Sequence, residues 1–211
     1  MSLNSSAFSV LEGDNNFLGS LYKTKDNEKK LLSRKDRSVI ELYELDYVNL
    51  KFLENHKFEG EYHQIERDKI VSFIERADIF FEMLKPHLRE GSFVFMEGIS
   101  FGSKGNSLID ICMLTSLLRE RIISVIDPKN FYVFSPSSIK KFAGKGNFKK
   151  HELYESILLK EDSRIEKIKE VLNRNKHQWI KGSKDVVSPC NDLIDAIWIS
   201  LFGEDFLQSK K

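Results

Sequence analysis

The chain has 211 residues, 41% of them hydrophobic and 31% charged. That is enough apolar material for a sizeable core in one domain, 1–211, and it excludes a disordered or fibrous polymer. Its 33 basic and 32 acidic residues nearly cancel, so a polyanionic partner has to be recognised by a local patch and not by net charge.

No apolar run is long enough to span a membrane, and the first residues do not read as a secretion signal. Cys112 and Cys190 read as buried thiols in a reducing compartment such as the cytoplasm. The five histidines make no zinc-binding pattern.

In chain order, residues 7–11 and 17–23 alternate as two strands around Gly13-Asp14-Asn15, predicting a β-hairpin. Residues 26–37 are highly charged and read as a loop or weak helix. Residues 38–47 are β-prone through Val39, Leu42, Tyr43, Leu45 and Tyr47. Over 65–84 the residues Ile70, Phe73, Ile74, Ala77, Phe80, Phe81 and Leu84 recur at helical spacing, so that stripe is a core face.

Residues 92–96 form a short apolar run of the kind expected in a central strand, ending at Glu97. A glycine-containing turn follows, then a helix over 107–123 and a strand over 131–134. Helices are predicted over 147–159 and 162–179, the second polar on most faces. A last helix carries Asp192 and Asp195 ahead of an apolar run through Phe202. The order β-β-β-α-β-α-β-α predicts an α/β layered fold.

Three groups of residues carry chemistry. Asp192 and Asp195, three apart, share one face of a helix that otherwise buries itself. Two close carboxylates there repel, and a divalent cation relieves them. A plainer reading also stands: Asn191 or Asp192 as an N-cap, with the acid favoured by the helix dipole. Glu97, at the carboxyl end of a strand before a tight turn, sits where α/β sheets hold ligands, or is a solvated loop acid.

Residues 140–150 hold Lys140, Lys141, Lys145, Lys149 and Lys150 with no acid. The interleaved Gly and Phe suit a phosphate-tracking, stacking surface, and a solvated lysine loop fits as well. The glycines after Glu97 do not form a G-x-x-x-x-G-K-[ST] phosphate loop.

Taken together, these motifs resemble a family. Phe95-Met96-Glu97-Gly98 resembles the second acidic motif of the RuvC-type Holliday junction resolvases. The run from Ser135-Pro136 through Lys140-Lys141 to Gly144-Lys145-Gly146 is similar to their proline, paired-lysine and G-x-G segment, with Lys149 or Lys150 matching the lysine beyond it. Asp192-Leu193-Ile194-Asp195-Ala196 is similar to their closing D-x-x-D-A motif. The resemblance covers residues 90–203, in matching order, and looks closer to phage or viral members than to cellular ones.

The resemblance implies a ribonuclease-H-like mixed sheet of five strands flanked by helices, which would make residues 38–47 surplus to the sheet, an insertion or part of a helix. It implies a homodimeric endonuclease cutting Holliday or other branched DNA. It also implies two Mg²⁺ ions, with Mn²⁺ as a substitute, held by Glu97, Asp192, Asp195 and one further aspartate on a first strand. Phe101 would stack on bases at the branch point, or simply pack in its loop. A phage member would act in the bacterial cytoplasm.

Met1-Ser2-Leu3 matches the material just after that first aspartate, so a short strand ending in Asp is expected to be encoded upstream of Met1. Asp14, in its hairpin turn, is not a substitute. Two alternatives remain open. One is a non-catalytic DNA-binding module that keeps the fold with an incomplete site. The other is a related enzyme acting on different branched DNA or on RNA–DNA hybrids.

Overall fold

The computed structural model describes residues 5–13, 15–24, 41–42, 45–46, 48–54, 57–99, 105–181 and 185–210. It is a mixed α/β structure. Strands β1 (Ser5–Glu12) and β2 (Asn15–Thr24) pair antiparallel from Ser5↔Tyr22 to Glu12↔Asn15. Their turn needs Gly13, whose φ of 59° is left-handed. Strand β3 (Val48–Glu54) then pairs parallel to β2.

Helix α1 (Tyr62–Leu84) leads to strand β4 (Val94–Glu97), and helix α2 (Asn106–Ile123) to strand β5 (Phe131–Phe134). Strands β4 and β5 pair parallel, with Glu97 opposite Phe134. The remaining elements are α3 (Pro136–Ala143), α4 (Lys150–Leu159), α5 (Glu166–Arg174), α6 (Lys176–Trp179), the short strands β6 (Ile180–Lys181) and β7 (Asp185–Val186), and α7 (Cys190–Gln208).

Strand alternation explains the layering. On β1, Phe8 and Val10 enter a core with Phe80, Met83 and Leu84 of α1 and Leu118 and Ile122 of α2. Ala7 and Leu11 face the opposite core, built from α4, α5 and α7. Strand β4 splits the same way: Val94 and Met96 join the α1/α2 side, while Phe95 meets Gly203 of α7. Both sheet faces are therefore covered by helices, and the strands read as apolar on both sides.

Helix α7 lies close to β4 because Gly203 has no side chain. A Cβ there would come within 2.2 Å of the Phe95 ring. Gly203→Val is expected to destabilise the fold by about 1–3 kcal/mol, the usual range for overpacking a core. Chemical denaturation measures this, and an unchanged midpoint would mean that α7 and β4 do not pack as described.

The structure corrects several expectations. Residues 38–47 do not form the third strand: Glu41 and Leu42 are helical, Leu45 and Asp46 lie in a turn, and the rest of that stretch lies outside the described residues. Leu42 is fully buried, so its apolar character serves packing and not a ladder. The strand forms at Val48 instead.

The predicted helix over 147–159 begins only at Lys150, because the backbone N–H of Lys149 donates to Glu152 and marks the helix start. The predicted helix over 162–179 is broken, and its single apolar stripe is buried while the rest of its surface is polar. Ile165, Ile168, Val171, Leu172 and Trp179 are buried, and buried Asn175 divides it, donating to the Val171 carbonyl at 3.0 Å and to Glu41 at 2.9 Å. Cys190 is buried as expected, whereas Cys112 is only half-buried.

No described helix is long and apolar enough to cross a membrane.

Candidate metal centre and basic surface

Glu97 is the last residue of β4 and is half-buried. Its position is held from the next residue: the Gly98 N–H donates to the Phe134 carbonyl at 2.7 Å, extending the β4–β5 ladder one step past the strand. A Cβ at Gly98 would sit 3.2 Å from that carbonyl, so the close approach favours glycine.

Asp192 lies in the first turn of α7 and Asp195 one turn further on. The Ser188 hydroxyl, just ahead of the helix, lies 2.9 Å from an Asp192 carboxylate oxygen and 2.8 Å from the Asn191 side-chain carbonyl. Residues Leu193, Ile194, Ile197, Trp198 and Leu201 are buried. They seat α7 firmly and so fix where its two half-buried acids project.

Asp195 feels both other acids. Asp195 is pushed up to about 7, first by burial, then by the negative charges of Glu97 and Asp192, with Lys150 opposing the rise. A carboxyl half-buried by area, yet crowded by protein and two other acids, holds its negative charge poorly. Glu97 and Asp195 are far apart in sequence, so this meeting is made by the packing of α7 across β4. Burial, with Asp192 and Asp195 adding, also pushes the Cys190 thiol up, so it is an inert core group.

These donors suit a hard divalent cation. All three are anionic oxygens from two different elements, and their repulsion is the burden a cation relieves. Among the described residues no three acidic, histidine or cysteine side chains already stand as a ligand set. The carboxylates share one electrostatic site without being drawn in as ligands.

The lysines fall into two groups. Lys140 and Lys141 lie on α3, whose N-cap Ser135 hydroxyl accepts from the Ser138 N–H at 3.2 Å. Lys141, Lys145, Lys149 and Lys150 are exposed and Lys140 half-buried. Lys150, the first residue of α4, acts electrostatically on Asp195.

The aromatic residues of this segment are not a stacking platform, which corrects the sequence reading. Phe142 packs edge-on against Trp198 at 6.0 Å and tilted against Phe202 at 5.4 Å. Phe148 covers Gly144, where a Cβ would come within 2.5 Å of its ring, and Gly144 has a φ of 151°. The glycine is there to let the ring in and to end α3. Phe101 and Asp14 lie outside the described residues.

Sequence reasoning missed Ser188, whose hydroxyl orients Asp192. Its only sequence signal is a serine before proline at the start of an acid-bearing helix.

No protein-family model matches this chain, and no curated protein or solved structure matches it either.

Proposed function

We propose that this protein is a structure-specific DNA endonuclease of ribonuclease-H-like fold that resolves four-way or other branched junctions by metal-dependent phosphodiester hydrolysis. One observation carries the reading: Asp195 of α7 feels the charges of Glu97, from the end of β4, and of Asp192, and Lys150 opposes them. The parallel β4–β5 pair, with its acid at the carboxyl end, supports the fold reading.

Glu97, Asp192 and Asp195 would hold Mg²⁺, or Mn²⁺ in its place. Bound there, the cation supplies Lewis-acid activation of water and stabilises the leaving oxygen. The protein's own groups do the rest. The carboxylates concentrate positive charge, and Ser188 fixes the orientation of Asp192. Lys150 lowers the proton affinity of Asp195 and offers a cation to a scissile phosphate. Lys140, Lys141, Lys145 and Lys149 neutralise flanking phosphates, and a homodimer would meet the near two-fold symmetry of a junction.

The test is a panel of labelled four-way junction, flap, linear duplex and RNA–DNA hybrid substrates with and without Mg²⁺. Metal-dependent cutting confined to branched DNA is the expected result. Cutting of hybrids alone would move the assignment to another ribonuclease-H-like activity. Junction binding without cutting would favour a DNA-binding module. No junction binding at all would reject both DNA readings.

The basic surface has its own test. Replacing Lys140 and Lys141 together by Ala is expected to weaken binding on every DNA sequence. The slope of log affinity against log salt should fall by about 0.9 for each phosphate no longer neutralised. An unchanged affinity and slope would show α3 to be a solvated helix away from the DNA.

A further inference from the structure

Helix α4 begins beside the acids, and Lys150 is only the first of its residues there. The Trp198 Nε1–H donates to the Leu153 carbonyl at 3.3 Å. Trp198 follows Asp195 by three residues on α7, and Leu153 follows Lys150 by three on α4. The bond therefore ties the two helices about one turn beyond each of those residues. Helix α4 also packs on β7, whose chain continues into Ser188, the residue that orients Asp192. His151 lies in this first turn of α4, directly after Lys150.

The His151 ring leaves both nitrogens unpaired. The residue is half-buried, and its Nδ1 is buried with no hydrogen-bond partner. Its Nε2 is not buried and makes no hydrogen bond either. An orphaned buried polar atom costs the fold free energy, and a leucine would pack there without that loss. What histidine adds at this position is the other nitrogen. A buried N–H without an acceptor is rarer in folded proteins than an acceptor without a donor. In the neutral ring the hydrogen accordingly sits on Nε2, the nitrogen open to solvent.

We propose that His151 is a substrate-contacting residue: its Nε2–H donates to a non-bridging oxygen of a DNA phosphate adjoining the one that Lys150 meets. The proposal rests on the nuclease reading and adds a contact to its DNA path. The tautomer excludes two other duties. Nε2 already holds a hydrogen, so it neither takes one from water as a general base nor offers a lone pair to a cation. Moving the hydrogen to Nδ1 would bury an N–H with no acceptor. Donation is what remains, and a phosphate oxygen is the strong acceptor that DNA presents beside Lys150. An uncharged ring fixes that phosphate by direction and not by charge.

Binding of a labelled four-way junction to the full chain at pH 8, without divalent metal so that no strand is cut, tests it. His151→Leu is expected to weaken binding by at least about tenfold, the scale of losing one hydrogen bond to a charged oxygen. His151→Gln, whose side-chain amide places an N–H near the position of Nε2, is expected to recover most of the loss. The slope of log affinity against log salt should be the same in all three proteins, because an uncharged donor releases no counterion. His151→Leu should unfold no more easily than the parent in denaturant, since it removes the orphaned nitrogen. Nitrogen NMR of the labelled free chain should show the hydrogen on Nε2. Unchanged affinity in His151→Leu overturns the proposal and leaves the nuclease reading standing. Loss of affinity and stability together also overturns it, because the residue would then be structural. So does a shallower salt slope, which would make the contact ionic, or a hydrogen on Nδ1, which would remove the donor. A parent chain that binds no junction rejects this contact together with the nuclease reading.

Discussion

Asp195→Asn is expected to lower Mg²⁺-dependent cutting of a four-way junction by at least about 10²-fold, the scale on which losing one charge-stabilising group slows an enzyme. Junction binding is expected to hold or to tighten. Asp195 shares the site with Glu97 and Asp192, so an amide there removes one of three negative charges that attract a cation. The same change lowers repulsion between the site and a phosphate. The shape of the site should persist, because the amide is nearly isosteric and α7 is held by its apolar face. Single-turnover cleavage and equilibrium binding on one substrate separate the two effects. Equal cutting rates would remove Asp195 from the metal centre, and parallel loss of binding and cutting would indicate a damaged fold.

The second large effect is on stability. Asp195 is expected to make the protein less stable as pH rises from about 4 to about 7. In the unfolded chain its carboxyl titrates at its ordinary 3.8, whereas in the folded chain it is pushed up to about 7. Between those values the folded state keeps a proton that the unfolded state has released. Stability therefore falls with rising pH, by about 1.4 kcal/mol per unit at most, and is lowest above pH 7.

Asp195→Asn is accordingly expected to be more stable than the parent at pH 8, by about 2–4 kcal/mol, and to match it near pH 4. The difference between the two proteins isolates this residue from other carboxyls. Asp162 is one of those: its hydrogen-bonded pairing with Arg164 holds its carboxyl below the usual range, so it acts in the opposite direction at low pH.

Mg²⁺ at pH 8 should restore the parent. At a hundredfold excess over its dissociation constant it contributes about 2.7 kcal/mol, or roughly 5–10 °C for a chain of this size. Asp195→Asn should lose most of that shift. Thermal unfolding from pH 4.5 to 8, with and without Mg²⁺, reads both. A parent whose stability is flat between pH 5 and 7 would contradict the environment described for Asp195.

Much of the framework is local physics and is legible in residue order. The apolar stripe from Phe73 to Leu84 has one period and gives α1. Gly13 between two β-rich runs gives the hairpin, and the run ending in Met96 gives β4. The candidate acids are equally visible, because Asp192 and Asp195 interrupt an apolar helix and Glu97 closes an apolar strand.

Other features depend on distant partners. Leu42 and the residues around it have strand-forming character, but a buried position selects a helical turn there, and the strand forms at Val48. The 162–179 segment keeps one apolar stripe, yet it is broken because Asn175 divides it and sets the register of each half. Phe142 and Phe148 resemble stacking residues until Trp198, Phe202 and Gly144 turn them inward.

The electrostatic joining of Glu97 to Asp195 belongs to the tertiary structure alone. It arises because α7 packs against β4, closely enough at Gly203 to exclude any side chain, and so brings together groups about a hundred residues apart in sequence, a meeting that no local propensity encodes.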